Sequence, residues 1–285
     1  MGKPMSRNLL KAGYQLVVFN RSKGAVNELV AAGARAATNP REVAEQAEIV
    51  ITMLPNSPDV KDVVLGDAGI IEGAGKGSVV IDMSSIAPLV SREIAARLAD
   101  KGIEMLDAPV SGGEPKAISG TLSVMVGGKK EIFNKCYPVM KAMAGSVVLV
   151  GSAGAGNIAK LANQIIVALN IAAVSEALVL AAKAGVDPEL VYQAIRGGLA
   201  GSTVLDAKAP LIMDRKFNPG FRIDLHIKDL NNVLETSHSI GVPLQLTASV
   251  MEIMQALKVD GLGDSDHGSL VRFYEKLAGI EVKRQ

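Results

Sequence analysis

Residues 1–22 read MGKPMSRNLLKAGYQLVVFNRS, and the order of elements inside this stretch decides the fold. Leu9 and Leu10 mark the apolar side of an amphipathic helix that stops near Gly13. Leu16, Val17, Val18 and Phe19 then make a short apolar strand ending on Asn20, Arg21 and Ser22. A helix feeding such a strand is the back two-thirds of a βαβ nucleotide-binding unit. The turn ahead of that helix normally carries glycines, so that the backbone can approach a pyrophosphate at the helix N-terminus. Only Gly2 stands where one of them, the third, belongs.

The pattern continues outward from there. Strand-like runs rich in Val and Ile (EIVITML at 48–54, SVVIDMS at 78–84, IEMLDAPV at 103–110, TLSVMVGG at 121–128, SVVLV at 146–150) alternate with helical segments. Those segments lie around Ala25 to Ala31, after Pro58, over LVSREIAARLADKG and from Glu131 to Ala144. Apolar strands separated by helix-length stretches predict a mainly parallel sheet with helices on both faces. From Gly154 onward only helices are predicted. In DPELVYQAIRGG, Asp187 is the N-cap, Pro188 the first helical residue and Gly197 a stop, while HIKDLNNVLETSHSIG ends at Gly241 with Pro243 just beyond. The fold class expected is α/β, a Rossmann-like doubly wound N-terminal domain over 1–152 followed by an all-α C-terminal domain over 153–285. The long helix that opens the second domain joins the two.

Composition narrows the function classes. The chain has 285 residues, 48% apolar and 21% charged, and its 30 basic and 29 acidic side chains leave a net charge of +1. No basic stripe suits nucleic acid and no polybasic patch suits a membrane surface. One cysteine, Cys136, and no charged n-region ahead of an apolar stretch point to a reducing, cytoplasmic setting. The apolar run IAKLANQIIVALNIAAVSEALVLAAKAG carries Lys160, Asn163, Gln164, Asn170, Ser175, Glu176 and Lys183, which lipid would tolerate poorly, so a buried helix is expected. His226, His238 and His267 lack metal-ligand spacing; surface or supporting roles are expected of them and no metal site.

Three places carry chemistry. Asn20-Arg21-Ser22 ends the second strand of the unit, where an acidic residue would take ribose hydroxyls; the guanidinium of Arg21 instead suits a 2′-phosphate, favouring NADP over NAD. In DAPVSGGEP, Ser111, Gly112 and Gly113 follow a strand and would offer a hydroxyl and two unencumbered backbone N–H groups to a carboxylate, although a plain turn fits the same pattern. GSAGAGNIAKLANQ sets glycines ahead of the long helix and puts Lys160, Asn163 and Gln164 on one face of it. An ammonium in an otherwise apolar helix is costly unless paired or snorkelling.

The segments DAPVSGG, GAGNIAKLAN and FRIDLHIKDL, in this order, resemble the β-hydroxyacid dehydrogenase family, which includes the 3-hydroxyisobutyrate dehydrogenases. ITMLPNSPDV, IDMSSIAP, APVSGGEPKAISGTLSVMVGG and IRGGLAGSTVLDAKAP extend the resemblance over the whole chain from Gly2. The family opens with a strand and a Gly-x-Gly-x-x-Gly turn, and Met1-Gly2 aligns with the last two residues of that turn. The resemblance therefore implies that roughly ten residues, one strand and its turn, precede this start in other members. It further implies reduction of a small semialdehyde acid with NAD(P)H, tartronate semialdehyde to glycerate being nearest, with glyoxylate, succinic semialdehyde or 3-hydroxyisobutyrate as alternatives.

By the same resemblance Lys160 is the general acid, Ser111, Gly112 and Gly113 hold the substrate carboxylate, and Asn163 and Gln164 contact substrate. Gln164 stands where the family usually has a second asparagine. Gly2, Asn20, Arg21, Ser22, Leu54, Pro55, Ser85 and Lys228 face the cofactor, and Asp229 orients the neighbourhood of Lys160. A homo-oligomer, dimer or tetramer, is implied, with no nucleic-acid or membrane partner. The incomplete glycine turn also leaves a second expectation open: a non-catalytic protein that dimerises through its helices without binding dinucleotide.

Overall fold

The first helix is set by its own sequence: Pro4, Met5 and Leu9 point inward from α1 (Gly2–Lys11), and Gly13 turns the chain beyond it at φ +89°, a conformation that favours glycine. The computed structural model describes residues 1–284. After α1 come β1 (Val17–Val18), α2 (Lys23–Ala31), β2 (Arg35–Ala36), α3 (Pro40–Glu45), β3 (Ile49–Thr52), α4 (Ser57–Leu65), α5 (Ile70–Gly73) and β4 (Val79–Asp82). Then follow α6 (Pro88–Ala99), β5 (Glu104–Asp107), β6 (Val110–Ser111), α7 (Gly113–Ser119), β7 (Leu122–Gly127), α8 (Lys130–Lys141) and β8 (Ala144–Gly151).

β3, β4 and β5 pair in parallel, with Ile49 opposite Val79 and Val79 opposite Glu104. All four residues of β4 are buried. Val79 and Ile81 enter one core with Met5, Leu106, Val126 and Met140, whereas Val80 enters the other with Val60, Val64, Ile94 and Leu98, the period-2 signature of a strand covered on both faces.

The strand pairing is mainly parallel, as the sequence predicts, with two local departures. β7 runs antiparallel to both β5 and β6, and parallel to β8. The connection from Ser111 to Leu122 is too short for a full crossover, so the chain returns as a hairpin around α7. Pro109, which has no N–H to give, splits IEMLDAPV into β5 and β6. The second departure is that β1 and β2 make a two-stranded parallel sheet of their own, apart from the six-stranded sheet of β3 to β8. A cavity of about 720 Å³ separates them, lined by Leu16, Val17 and Val18 on one side and by Ile49, Val50 and Ile51 on the other.

The remaining elements are α9 (Ala155–Lys183), α10 (Pro188–Ile195), α11 (Thr203–Met213), α12 (Ile223–Ser239), α13 (Gln245–Leu257), a π-helical turn (Lys258–Leu262), a 3-10 turn (His267–Leu270) and α14 (Val271–Ala278). The Asp187 side chain accepts from Glu189 N and the Ser202 side chain from Leu205 N, so α10 and α11 start on side-chain caps. Contacts divide the chain into two compact units, Met1–Lys160 and the remainder from Leu161, the division falling inside α9. The second unit packs Ala168, Ile171, Ile227, Leu230, Met254 and Leu270 in one core and Leu178, Tyr192, Leu205 and Ile212 in another. α9 is long and apolar enough to cross a membrane by length and composition, and 44% of its most apolar window is buried within the fold.

Candidate active site

The carboxyl ends of β3, β4 and β5 carry a buried polar lattice. Thr52 Oγ1 donates to Asp82 Oδ1 at 2.8 Å, the Ser84 backbone N–H adds a second bond at 3.1 Å, and the Leu54 N–H donates to Ser84 Oγ at 2.9 Å. One strand over, Asp107 accepts from the backbone N–H groups of Gly154 (2.7 Å) and Asn157 (2.8 Å), placing a carboxylate at the start of α9 from a neighbouring strand. The Asn157 side chain then takes the Ile86 N–H at 3.1 Å and gives its amide to Ser91 Oγ at 2.9 Å. The opening of α9 is thus tied to β5, to the loop after β4 and to α6.

Two glycines let this happen. A side chain on Gly156 would lie 2.4 Å from the Asp107 carbonyl oxygen, and one on Gly127 would lie 2.4 Å from Asp107 Oδ1. Of the glycines in GSAGAGN, Gly156 therefore serves close helix-to-strand packing. One turn beyond Asn157 sits Lys160, only 6% exposed. Burial raises the carboxyl pKa of Asp82 to about 6, against the opposing hydrogen bonds from Ser84 and Thr52. Burial likewise raises Asp107, and the backbone N–H groups at the head of α9 oppose it.

The sequence-predicted cofactor residues of this unit gather partly around the 720 Å³ cavity, which Gly2, Asn20, Arg21, Leu54 and Pro55 line. The N-terminus of α1 has no side-chain cap and no acidic residue in its first turn, which suits an anion. Arg21 is 80% exposed in its side chain and pairs with Asp59 at 3.3 Å, a weak surface pair that a phosphate can displace. Asn20 donates to Ser22 Oγ at 2.8 Å, tying the triplet into a turn ahead of α2. Ser85 is half-buried on the loop after β4, next to Ser84 but outside the cavity lining. An uncapped helix start, a concave apolar wall and an exchangeable cation fit a dinucleotide phosphate.

The SGG loop leads from β6 into α7. Ser111 ends β6 opposite Ser123, Gly112 takes φ +133° and Gly113 opens α7. A side chain on Gly112 would lie 2.6 Å from Lys116 Cδ, so the Lys116 stem packs against the α-carbon of that glycine.

In the second unit, Asn163, Gln164, Lys228 and Asp229 do meet. Gln164 Nε2 donates to Asp229 Oδ2 at 2.5 Å, Asn163 Nδ2 donates to Gln164 Oε1 at 2.8 Å, and Lys228 Nζ lies 2.8 Å from Asp229 Oδ1. Gln164 and Asp229 are 4% and 2% exposed, so the amide–carboxylate bond is shielded from water. The longer arm of Gln164, where the family usually has asparagine, is what reaches Asp229.

Residues 1–151 match the model of the NAD binding domain of 6-phosphogluconate dehydrogenase. Residues 154–274 match the model described as NAD-binding of NADP-dependent 3-hydroxyisobutyrate dehydrogenase. The 2-hydroxy-3-oxopropionate reductase of Escherichia coli (strain K12) is 42% identical over 282 residues, spanning 99% of this chain and 96% of that protein. The chain belongs to the β-hydroxyacid dehydrogenase family. It is accordingly an oxidoreductase of the NAD(P)-binding kind. Another family member, the 2-(hydroxymethyl)glutarate dehydrogenase of Eubacterium barkeri, is 38% identical over 283 residues, 99% of this chain and 94% of that one. Among solved structures, a Mycobacterium tuberculosis 3-hydroxyisobutyrate dehydrogenase with L-serine superposes with a TM-score of 0.89 at 30% identity, covering 96% of this chain and 95% of that one.

Sequence reasoning missed Asp82, Asp107 and Asn157. The available signal was the recurrence of Asp at the end of two apolar strands, VVID and EMLD, which the register sets side by side. Of the three histidines, only His238 is exposed; His226 and His267 are buried and face one another, a pairing that nothing in the sequence signals.

Proposed function

We propose that this β-hydroxyacid dehydrogenase reduces tartronate semialdehyde to glycerate with NAD(P)H, Lys160 acting as general acid. The observation that carries the reading is a buried lysine one turn into a helix whose start is fixed by Asp107 and Asn157. Such a lysine has a fixed position and little competing water, the two conditions a proton donor to a developing alkoxide needs. Bound nicotinamide supplies the hydride. Lys160 gives its proton to the aldehyde oxygen as the aldehyde carbon becomes that of a primary alcohol. Ser111, Gly112 and Gly113 hold the acid group, with the Lys116 ammonium as an added counter-charge. Arg21 supports a preference for NADPH, because exchanging Asp59 for a 2′-phosphate keeps its charge paired.

The experiment is a ranking of kcat/KM for tartronate semialdehyde, glyoxylate and succinic semialdehyde, with oxidation of 3-hydroxyisobutyrate alongside, each with the reduced or oxidised form of both cofactors. Tartronate semialdehyde leading by about tenfold or more supports the reading; another substrate leading moves the chain to a different specificity within the family. Arg21→Ala should weaken NADPH binding severalfold and leave NADH nearly unchanged.

A second reading is favoured by the separation of the β1–β2 pair from the main sheet. In it the chain folds and self-associates but holds no dinucleotide. Fluorescence titration with NADPH and NADH decides, since saturable binding removes this reading. Self-association as a dimer or tetramer and a cytoplasmic setting are part of both readings. Ile166 and Leu180, 61% and 72% exposed on α9, support the first of these, which mass measurement in solution tests.

A further inference from the structure

One turn beyond Lys160 on α9, at Gln164, the helix is held by a pair of histidines. His226 Nδ1 and His267 Nδ1 lie 3.0 Å apart, with His226 fully buried and His267 5% exposed. On its other side His226 Nε2 meets the backbone carbonyl of Gln164 at 3.4 Å. A carbonyl only accepts, so the proton of this contact sits on His226 Nε2. In a neutral pair that leaves His226 Nδ1 as a lone-pair acceptor and makes His267 Nδ1 the donor.

The surroundings hold this geometry firmly. Asp266 accepts from the backbone N–H groups of Gly220, Phe221 and Gly268 and from Lys208 Nζ at 2.7 Å, which pins the segment leading into His267. The His267 N–H donates to the Phe221 carbonyl at 2.9 Å, and the Phe221 ring packs 5.7 Å from His226 and 5.3 Å from His267. His226 lies three residues before Asp229 on α12, so both face the same way. α12 therefore grips Gln164 twice, its main chain through His226 and its side chain through Asp229.

We propose that His226 and His267 are a tautomer-locked positioning pair that fixes the rotation of α9 at Gln164, and with it the direction of Lys160 one turn earlier on the same helix. The kinetic part rests on the reductase reading above; the tautomer part does not.

The test has two arms on the full chain. Long-range proton–nitrogen NMR with ¹⁵N-histidine, at neutral pH and without substrate, reads the protonated nitrogen of each ring. Only three histidines are present, and the exposed His238 serves as the reference. His226 is expected as the Nε2–H tautomer and His267 as the Nδ1–H tautomer; His226 carrying its proton on Nδ1 overturns the proposal, whether or not the chain turns over any substrate.

In the kinetic arm, His226→Gln keeps an amide donor near the Nε2 position and His226→Asn does not. The first should retain kcat within about threefold and the second lose about tenfold or more, with KM for the cofactor unchanged in both. Equal rates in two folded variants overturn the positioning role. Should the asparagine variant fail to fold, the NMR arm on the unaltered chain still decides. A chain with the expected tautomers but no reductase activity keeps the pair and removes the reductase reading instead.

Discussion

Gln164 on α9 and Asp229 on α12 are joined by a 2.5 Å hydrogen bond between buried groups, and the other oxygen of Asp229 lies 2.8 Å from Lys228 Nζ. Gln164 makes the bond through its terminal amide. Gln164→Leu leaves the buried carboxylate with one donor fewer, a change that costs about 1–3 kcal/mol. Gln164→Asn, one methylene shorter, should fall between the two. Urea unfolding of the three proteins checks the order, and indistinguishable midpoints would show that the bond contributes little.

Asp107 anchors the head of α9 through two backbone N–H groups. Asp107→Asn retains one acceptor oxygen and presents an amide to the other N–H. The loss expected is about 2 kcal/mol, the scale of one hydrogen bond to a charged group, and kcat should fall with it because Lys160 rides on the anchored turn. A variant with lowered stability and unaltered kcat would separate the anchor from the chemistry.

Asp82 gives a pH signature. Its carboxyl pKa is raised from 3.8 to about 6 by burial. Between these values the unfolded chain has released the proton while the folded chain still holds it, so stability from this group is full below about pH 4 and declines as pH rises to about 6. The Asp82→Asn variant does not titrate. Its stability relative to the unaltered chain should therefore improve by up to about 3 kcal/mol between about pH 4 and pH 8, the free-energy equivalent of about two pKa units. Urea midpoints at about pH 4, 6 and 8 measure this; a difference independent of pH would mean that Asp82 is already ionised in the fold.

The separate β1–β2 pair should be the least protected part of its unit. Its ladder is two residues long, Arg35 and Ala36 are exposed, and the bonds Arg35 N–H to Leu16 O and Ala37 N–H to Val18 O have no covering strand beyond them. The Met83 N–H, bonded to Thr52 O inside the buried sheet, is the comparison. Hydrogen exchange at Arg35 and Ala37 should run at least about tenfold faster than at Met83. Equal protection would mean that the two sheets open as one.

Local patterns made much of this fold legible. Val79 to Asp82 reads as a fully buried strand because both faces are apolar, and Asp187-Pro188 reads as a helix start because its capping chemistry is contained in adjacent residues. Lys160, Asn163 and Gln164 were legible as one face of a helix for the same reason. What stayed hidden depends on register and on distant partners. Asp82 and Asp107 become neighbours only once β4 and β5 align, and His226 meets His267 across 41 residues. Gly156 of GSAGAGN reads only as a glycine ahead of a helix in isolation, and the approach of α9 to Asp107 shows that it makes room for packing. β2, two exposed residues long, carries no apolar period at all and left no trace in the pattern.

The most direct measurement is NADPH oxidation in the presence of tartronate semialdehyde by the unaltered chain and by Lys160→Ala, with NADPH binding titrated in both. A lysine that donates the proton is worth about 10²- to 10⁴-fold in rate, so the variant should bind NADPH comparably and lose kcat by at least about two orders of magnitude. A variant that binds NADPH and keeps most of the rate would contradict the role assigned to Lys160.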